Sequence, residues 1–89
     1  MQRLEVYFYG HVQGVGFRYT TQDIAKDFPV TGFVQNESDG SVYLVAEGDR
    51  GILEQFLNAI MERMRDFVRE HHTEWSAATN RWSEFYIKR

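Results

Sequence analysis

The chain contains no cysteine, so neither a disulfide nor a thiolate-bound metal is open to it. It has a single proline, Pro29, and no apolar run approaching the ~20 residues that cross a bilayer as a helix. The opening MQRLEVYFYG alternates polar and apolar residues instead of forming the apolar centre of a secretory signal, and a cytoplasmic location is the expectation. An excess of positive charge is missing too. Ten Lys and Arg stand against thirteen Asp and Glu, a formal net charge of −3, the wrong sign for a protein that grips a long nucleic acid. A small anion is still admissible as a ligand, because one pocket can be positive on a negative surface. What the chain does hold is apolar and aromatic material, 43% and 16%, enough for a packed core and too much for disorder. Its 89 residues predict one domain spanning 1–89 with a two-layer core, and a monomer is the default state.

Leu4, Val6 and Phe8 alternate with Arg3, Glu5 and Tyr7 as in a half-buried strand. Phe17, Thr21, Ile24, Ala25 and Phe28 then fall on one stripe of a helix, which Pro29 ends by disfavouring helical geometry at Phe28. TGFVQN (31–36) and SVYLVAEG (41–48) read as strands joined across Asp39-Gly40, a hairpin signal. Asp49 is placed to cap a second helix, whose stripe is Ile52, Leu53, Phe56, Leu57, Ile60 and Met64. DFVREHHTEWSAAT (66–79) is read as a fourth strand, and Phe85 and Ile87 mark a short final one. The order β-α-β-β-α-β with a terminal strand predicts an α+β, ferredoxin-like sandwich, an antiparallel sheet with two helices on one face.

The chemistry concentrates in GHVQGVGFR (10–18). A Walker loop fails here, because Val15 stands where its second glycine belongs and no lysine follows. A dinucleotide fingerprint fails at Tyr19. What fits is a physical device. The loop feeds a helix N-terminus, where unpaired N–H groups and the positive end of the dipole favour an anion. Gly14 and Gly16 allow successive N–H groups to turn inward as a nest, and Arg18 adds a bidentate grip suited to phosphate. Taken alone, the same stretch is equally a tight turn followed by a solvated arginine. Asn36 has two readings as well: an Asx-turn residue before the hairpin, or an uncharged amide that holds a water beside a bound phosphate. His71 and His72 invite a metal reading, but neighbours in a strand point to opposite faces and do not share an ion.

The nine residues Gly10–Arg18 resemble the G-x-V-Q-G-V-G-F-R signature of the acylphosphatase family. A second segment, Gly32-Phe33-Val34-Gln35-Asn36 followed by Gly40-Ser41-Val42, is similar to another family motif, and SEFYIKR resembles its terminal strand. The resemblance implies hydrolysis of acyl phosphates, mixed carboxylic–phosphoric anhydrides, to carboxylate and phosphate, with neither metal nor organic cofactor. It places the phosphate-binding arginine on Arg18 and the water-orienting asparagine on Asn36. The phosphate loop falls on His11, Val12, Gln13, Gly14, Val15, Gly16 and Phe17. The chain departs from the family where a basic residue often precedes the asparagine and Gln35 stands instead. It departs again after the second helix, where MERMRDFVREHH lacks the usual Pro or Gly, and His71 and Thr73 occupy positions expected to be apolar. Two other classes share the element order. An RNA-recognition module would stack bases on Tyr7, Tyr9 and Tyr43, but the third strand lacks its second signature and the net charge opposes it. A non-catalytic anion-binding module would need the cup but not Asn36.

Overall fold

Period-2 and period-3.6 patterning becomes structure largely where the sequence puts it. The computed structural model describes residues 1–89. Five strands and two helices follow in order: β1 (Gln2–Gly10), α1 (Phe17–Ala25), β2 (Thr31–Asn36), β3 (Val42–Gly48), α2 (Arg50–Met64), β4 (Val68–Ala77) and β5 (Phe85–Ile87). The sheet order is β4-β1-β3-β2-β5. β1 pairs antiparallel with both β3 and β4, and β2 pairs antiparallel with β3. β5 joins β2 in parallel, so the expected ferredoxin-like sandwich carries one parallel edge and its sheet is mixed.

One face of every central strand is apolar and sealed. Leu4, Val6 and Phe8 of β1, Val34 of β2 and Val42 and Leu44 of β3 have no exposed surface. They share a cluster with Phe17, Ile24 and Ala25 of α1 and Leu53, Phe56, Ile60 and Met64 of α2. Each fully buried side chain of this size contributes about 1.5–3 kcal/mol, which is why the stripes dictate how the helices sit. The first helix is shorter than its sequence pattern. α1 ends at Ala25, and Asp27 and Phe28 continue as tighter turns donating to Ile24 and Ala25 at 3.0 and 3.2 Å. Phe28 still reaches the core, its ring 5.7 Å from that of Phe56. Asp49 occupies the N-cap of α2 without a side-chain capping bond.

β4 is a full ten-residue strand whose register runs from Gln2↔Ala77 to Gly10↔Val68, with a shift between Tyr9 and Gly10. His71 lies opposite Phe8 and Thr73 opposite Val6, so both face the helix side, yet both are exposed. The ladder to β1 holds this edge strand, and burial of its side chains contributes little.

The opposite face of the sheet carries stacked aromatics: Tyr7 and Tyr43 have ring centroids 4.6 Å apart, and Tyr7 and Tyr9 6.4 Å. The connection from β4 to β5 folds over the other half of this face. Buried Glu47 fastens it, accepting from the Thr79 N–H and hydroxyl and the Asn80 N–H, each at 2.8 Å. Trp82 then packs on Phe33 at 5.6 Å, beneath the guanidinium of Arg3 at 5.4 Å.

Candidate active site

β1 and β2 both run antiparallel to β3, which lies between them, so the loop leaving β1 and the last residue of β2 meet at the same end of the sheet. The start of that loop is fixed by close packing. The His11 N–H donates to the Phe67 oxygen at 2.9 Å, and a Cβ on Gly10 would sit 2.5 Å from the same oxygen. Gly14 and Gly16 are glycines for a different reason. They have open space around them but φ of 78° and 79°, the left-handed region that L side chains rarely adopt. Gly16 is the N-cap of α1, and immediately after it Phe17 drops into the core against Phe8, ring to ring at 4.8 Å. This buried anchor fixes the first turn of α1, and with it Arg18, at the mouth of the loop.

Val12, Gly14, Gly16, Phe17, Arg18, Tyr19 and Asn36 line a cavity of about 100 Å³. None of the main-chain N–H groups from Val12 to Tyr19 donates to a protein acceptor; the first that does is Thr20, to the Gly16 oxygen at 2.9 Å. A run of free donors at a helix N-terminus, without a side-chain cap, is an electropositive concavity made of backbone. Arg18 is half-buried and takes part in none of the ion pairs, so its charge is uncommitted. Asn36 brings a polar amide to the same wall, its Oδ1 buried without a hydrogen-bond partner. An unpaired buried amide costs roughly 1–3 kcal/mol, and such groups persist at sites of function.

The remaining loop residues do other things. The Gln13 side chain turns away from the cavity and donates to the main-chain oxygens of Glu37 and Ser41 at 2.8 and 2.9 Å. Val15 packs against the core cluster, and His11 is exposed, its ring 6.5 Å from Phe67. Gln35 is bonded to the Glu37 carboxylate, which therefore stands one residue beyond Asn36 as the local negative charge. His71 and His72 do point to opposite faces, the first toward Phe8 and the second toward Tyr9.

Two residues join the site that sequence reasoning passes over. Tyr19 lines the cavity from the first turn of α1 and is 57% exposed. Arg89 donates to its hydroxyl at 2.9 Å, and this bond together with the guanidinium charge holds the phenol below the usual tyrosine range. The position of Tyr19 within one turn of a helix N-terminus is readable in the sequence; its tie to Arg89 is not, since it depends on β5 lying alongside β2.

A concavity of free main-chain N–H groups at a helix N-terminus, at one end of a ferredoxin-like sheet, is built to attract an anion without a Walker loop. The acylphosphatase family profile matches residues 4–87. An acylphosphatase of Salinibacter ruber is 42% identical over 89 residues, 99% of this chain and 94% of its own. One from Ligilactobacillus salivarius is 42% identical over 69 residues, 78% of this chain and 77% of its own. The crystal structure of acylphosphatase from Bacillus subtilis superposes with a TM-score of 0.89 at 30% identity, covering 100% of both chains. The chain belongs to the acylphosphatase family, and it is a hydrolase of that family.

Proposed function

We propose that the chain hydrolyses acyl phosphates by in-line attack of water at phosphorus. The observation that carries this reading is the unbroken run of free N–H donors from Val12 to Tyr19 around a cavity that also receives Arg18 and Asn36. Phosphoryl transfer demands positioning and charge stabilisation more than covalent help from the protein. The loop N–H groups and Arg18 bind the phosphoryl oxygens and gain strength as charge shifts onto them. The Asn36 amide orients a water, supplying proximity rather than base strength. A P–O bond to that water forms while the P–O bond to the acyl oxygen breaks. The carboxylate departs with the bonding pair, and the water's proton passes to the phosphate produced or to solvent. A carboxylate is stable as an anion, so no general acid is required. The substrate is a small molecule, a reading supported by a small cavity and a net charge of −3 that disfavours polyanions, and a monomer is the default state for a domain of this size.

The test is hydrolysis of benzoyl phosphate, followed by its ultraviolet change in chelator-treated buffer, for the wild type, Arg18→Ala and Asn36→Ala. The expected result is chelator-resistant turnover, reduced about 100-fold or more in each variant. Arg18→Ala acts on both binding and turnover, whereas Asn36→Ala acts mainly on kcat. A folded wild type that binds phosphate and turns nothing over would make this an anion-binding module.

A further inference from the structure

On the acyl-phosphate reading, the cavity of about 100 Å³ walled by the loop, Arg18 and Asn36 receives the phosphoryl group. The acyl group then lies at the mouth. Among the residues lining the cavity, Val12 and Phe17 are buried, Arg18 and Asn36 are half-buried, and Gly14 and Gly16 have no side chain to offer. Tyr19 alone is both large and exposed.

Its ring is also held in place. β5 runs parallel to β2, with Ile87 opposite Val34 and the Lys88 N–H donating to the Val34 oxygen at 2.9 Å. The chain after β5 is thereby carried toward the end of β2 where Asn36 lies. Arg89 reaches Tyr19 from there, bonding the hydroxyl, with its guanidinium carbon 5.9 Å from the ring centroid. A guanidinium that engages the hydroxyl at the ring's edge restrains the phenol and leaves a ring face available for stacking.

We propose that Tyr19 is the acyl-group subsite and that Arg89 positions it, giving the enzyme a preference for acyl phosphates with a planar aromatic acyl group. This rests on the acyl-phosphate reading of the phosphate cavity. A flat ring stacks on the phenol and excludes water from one of its faces, a gain that a short aliphatic acyl group cannot match. Arg89 is a positioning residue: it acts on the substrate through the orientation of Tyr19.

The experiment compares kcat and KM for benzoyl phosphate and acetyl phosphate in the wild type, Tyr19→Ala, Tyr19→Phe, Arg89→Ala and Arg89→Lys. Tyr19→Ala should lower the benzoyl-to-acetyl ratio of kcat/KM about tenfold, chiefly through the KM for benzoyl phosphate. Tyr19→Phe keeps the ring but loses the hydroxyl that Arg89 holds, so it should lower the ratio about as far as Arg89→Ala does and less than Tyr19→Ala. Arg89→Ala should lower it, and Arg89→Lys, which can still donate to the hydroxyl, should restore most of it. Turnover of both substrates with a ratio that Tyr19→Ala does not move would overturn the subsite while leaving the hydrolase reading intact. Turnover of neither by folded wild type would overturn that reading and the subsite with it.

Discussion

The Gln13 carboxamide donates to the main-chain oxygen of Glu37, the residue that follows Asn36, at 2.8 Å. A second bond from the same nitrogen reaches the Ser41 oxygen at 2.9 Å. The Gln13 side chain thus ties the loop after β1 to the β2–β3 turn beside Asn36. Replacing Gln13 by Ala removes both bonds, leaving the Glu37 and Ser41 oxygens only their backbone donors, the N–H groups of Gly40 and Glu37, and frees the loop to drift from Asn36. We expect kcat to fall about 10- to 100-fold and the thermal midpoint to drop. Gln13→Glu should do worse, because a carboxylate cannot donate to either carbonyl. Steady-state kinetics and thermal melts check both; a Gln13→Ala variant with wild-type kcat would show that the cup is held by the backbone alone.

Gly16 tests the cup itself. Its φ of 79° costs an L residue about 1–2 kcal/mol, and since nothing lies within 4 Å of where a Cβ would stand, the penalty is conformational and not steric. Gly16→Ala is therefore expected to lose about that much stability and to weaken phosphate binding, as the chain relaxes and the N–H groups turn. Gly16→Asn should be milder, because asparagine tolerates the left-handed region. Equal stability for Gly16→Ala and wild type in denaturant titrations would contradict this geometry.

Charge next to Asn36 is adjustable. Gln35 is bonded to the Glu37 carboxylate, so a lysine at 35 would pair with that carboxylate and remove negative potential beside the phosphate site. Gln35→Lys should lower KM about threefold at low ionic strength, with the gain fading as salt is added. A KM unchanged at low salt would mean that the Glu37 charge does not reach the substrate.

Glu47 links pH to stability. Burial pushes its carboxyl up, but hydrogen bonds from the Thr79 N–H and hydroxyl and the Asn80 N–H, with the charge of Arg3, outweigh that and hold it below its ordinary value. Folding therefore favours the ionised form. The contribution is complete above the ordinary carboxyl value of 4.5 and is lost as pH falls through the lower folded value. Glu47→Gln should cost about 2 kcal/mol near neutrality, and the difference from wild type should close in acid. A gap that stays constant with pH would contradict the ionised anchor.

The strands and helices that bury a face are legible because burial writes a period into the sequence, as in Leu4-Val6-Phe8 and in Leu53, Phe56, Ile60 and Met64. β4 carries almost no such period, since His71 and Thr73 face the helix side yet stay exposed; its strand character comes from a ladder with β1 that no local pattern records. Phe28 falls on the α1 stripe and does pack on Phe56, but the helix ahead of Pro29 stops at Ala25. Arg18 and Asn36 stand out through a dense local motif. The Gln13 brace, the Glu47 anchor and the Tyr19–Arg89 bond join residues 24 to 70 positions apart, so they exist only once the sheet is assembled.

The most direct test of the mechanism is hydrolysis of benzoyl phosphate in water labelled with heavy oxygen, with mass analysis of both products. Attack at phosphorus by a water held at Asn36 places the label in phosphate and leaves the benzoate unlabelled. Label in the benzoate would mean attack at the carbonyl carbon, and the roles given to the cup, Arg18 and Asn36 would fall.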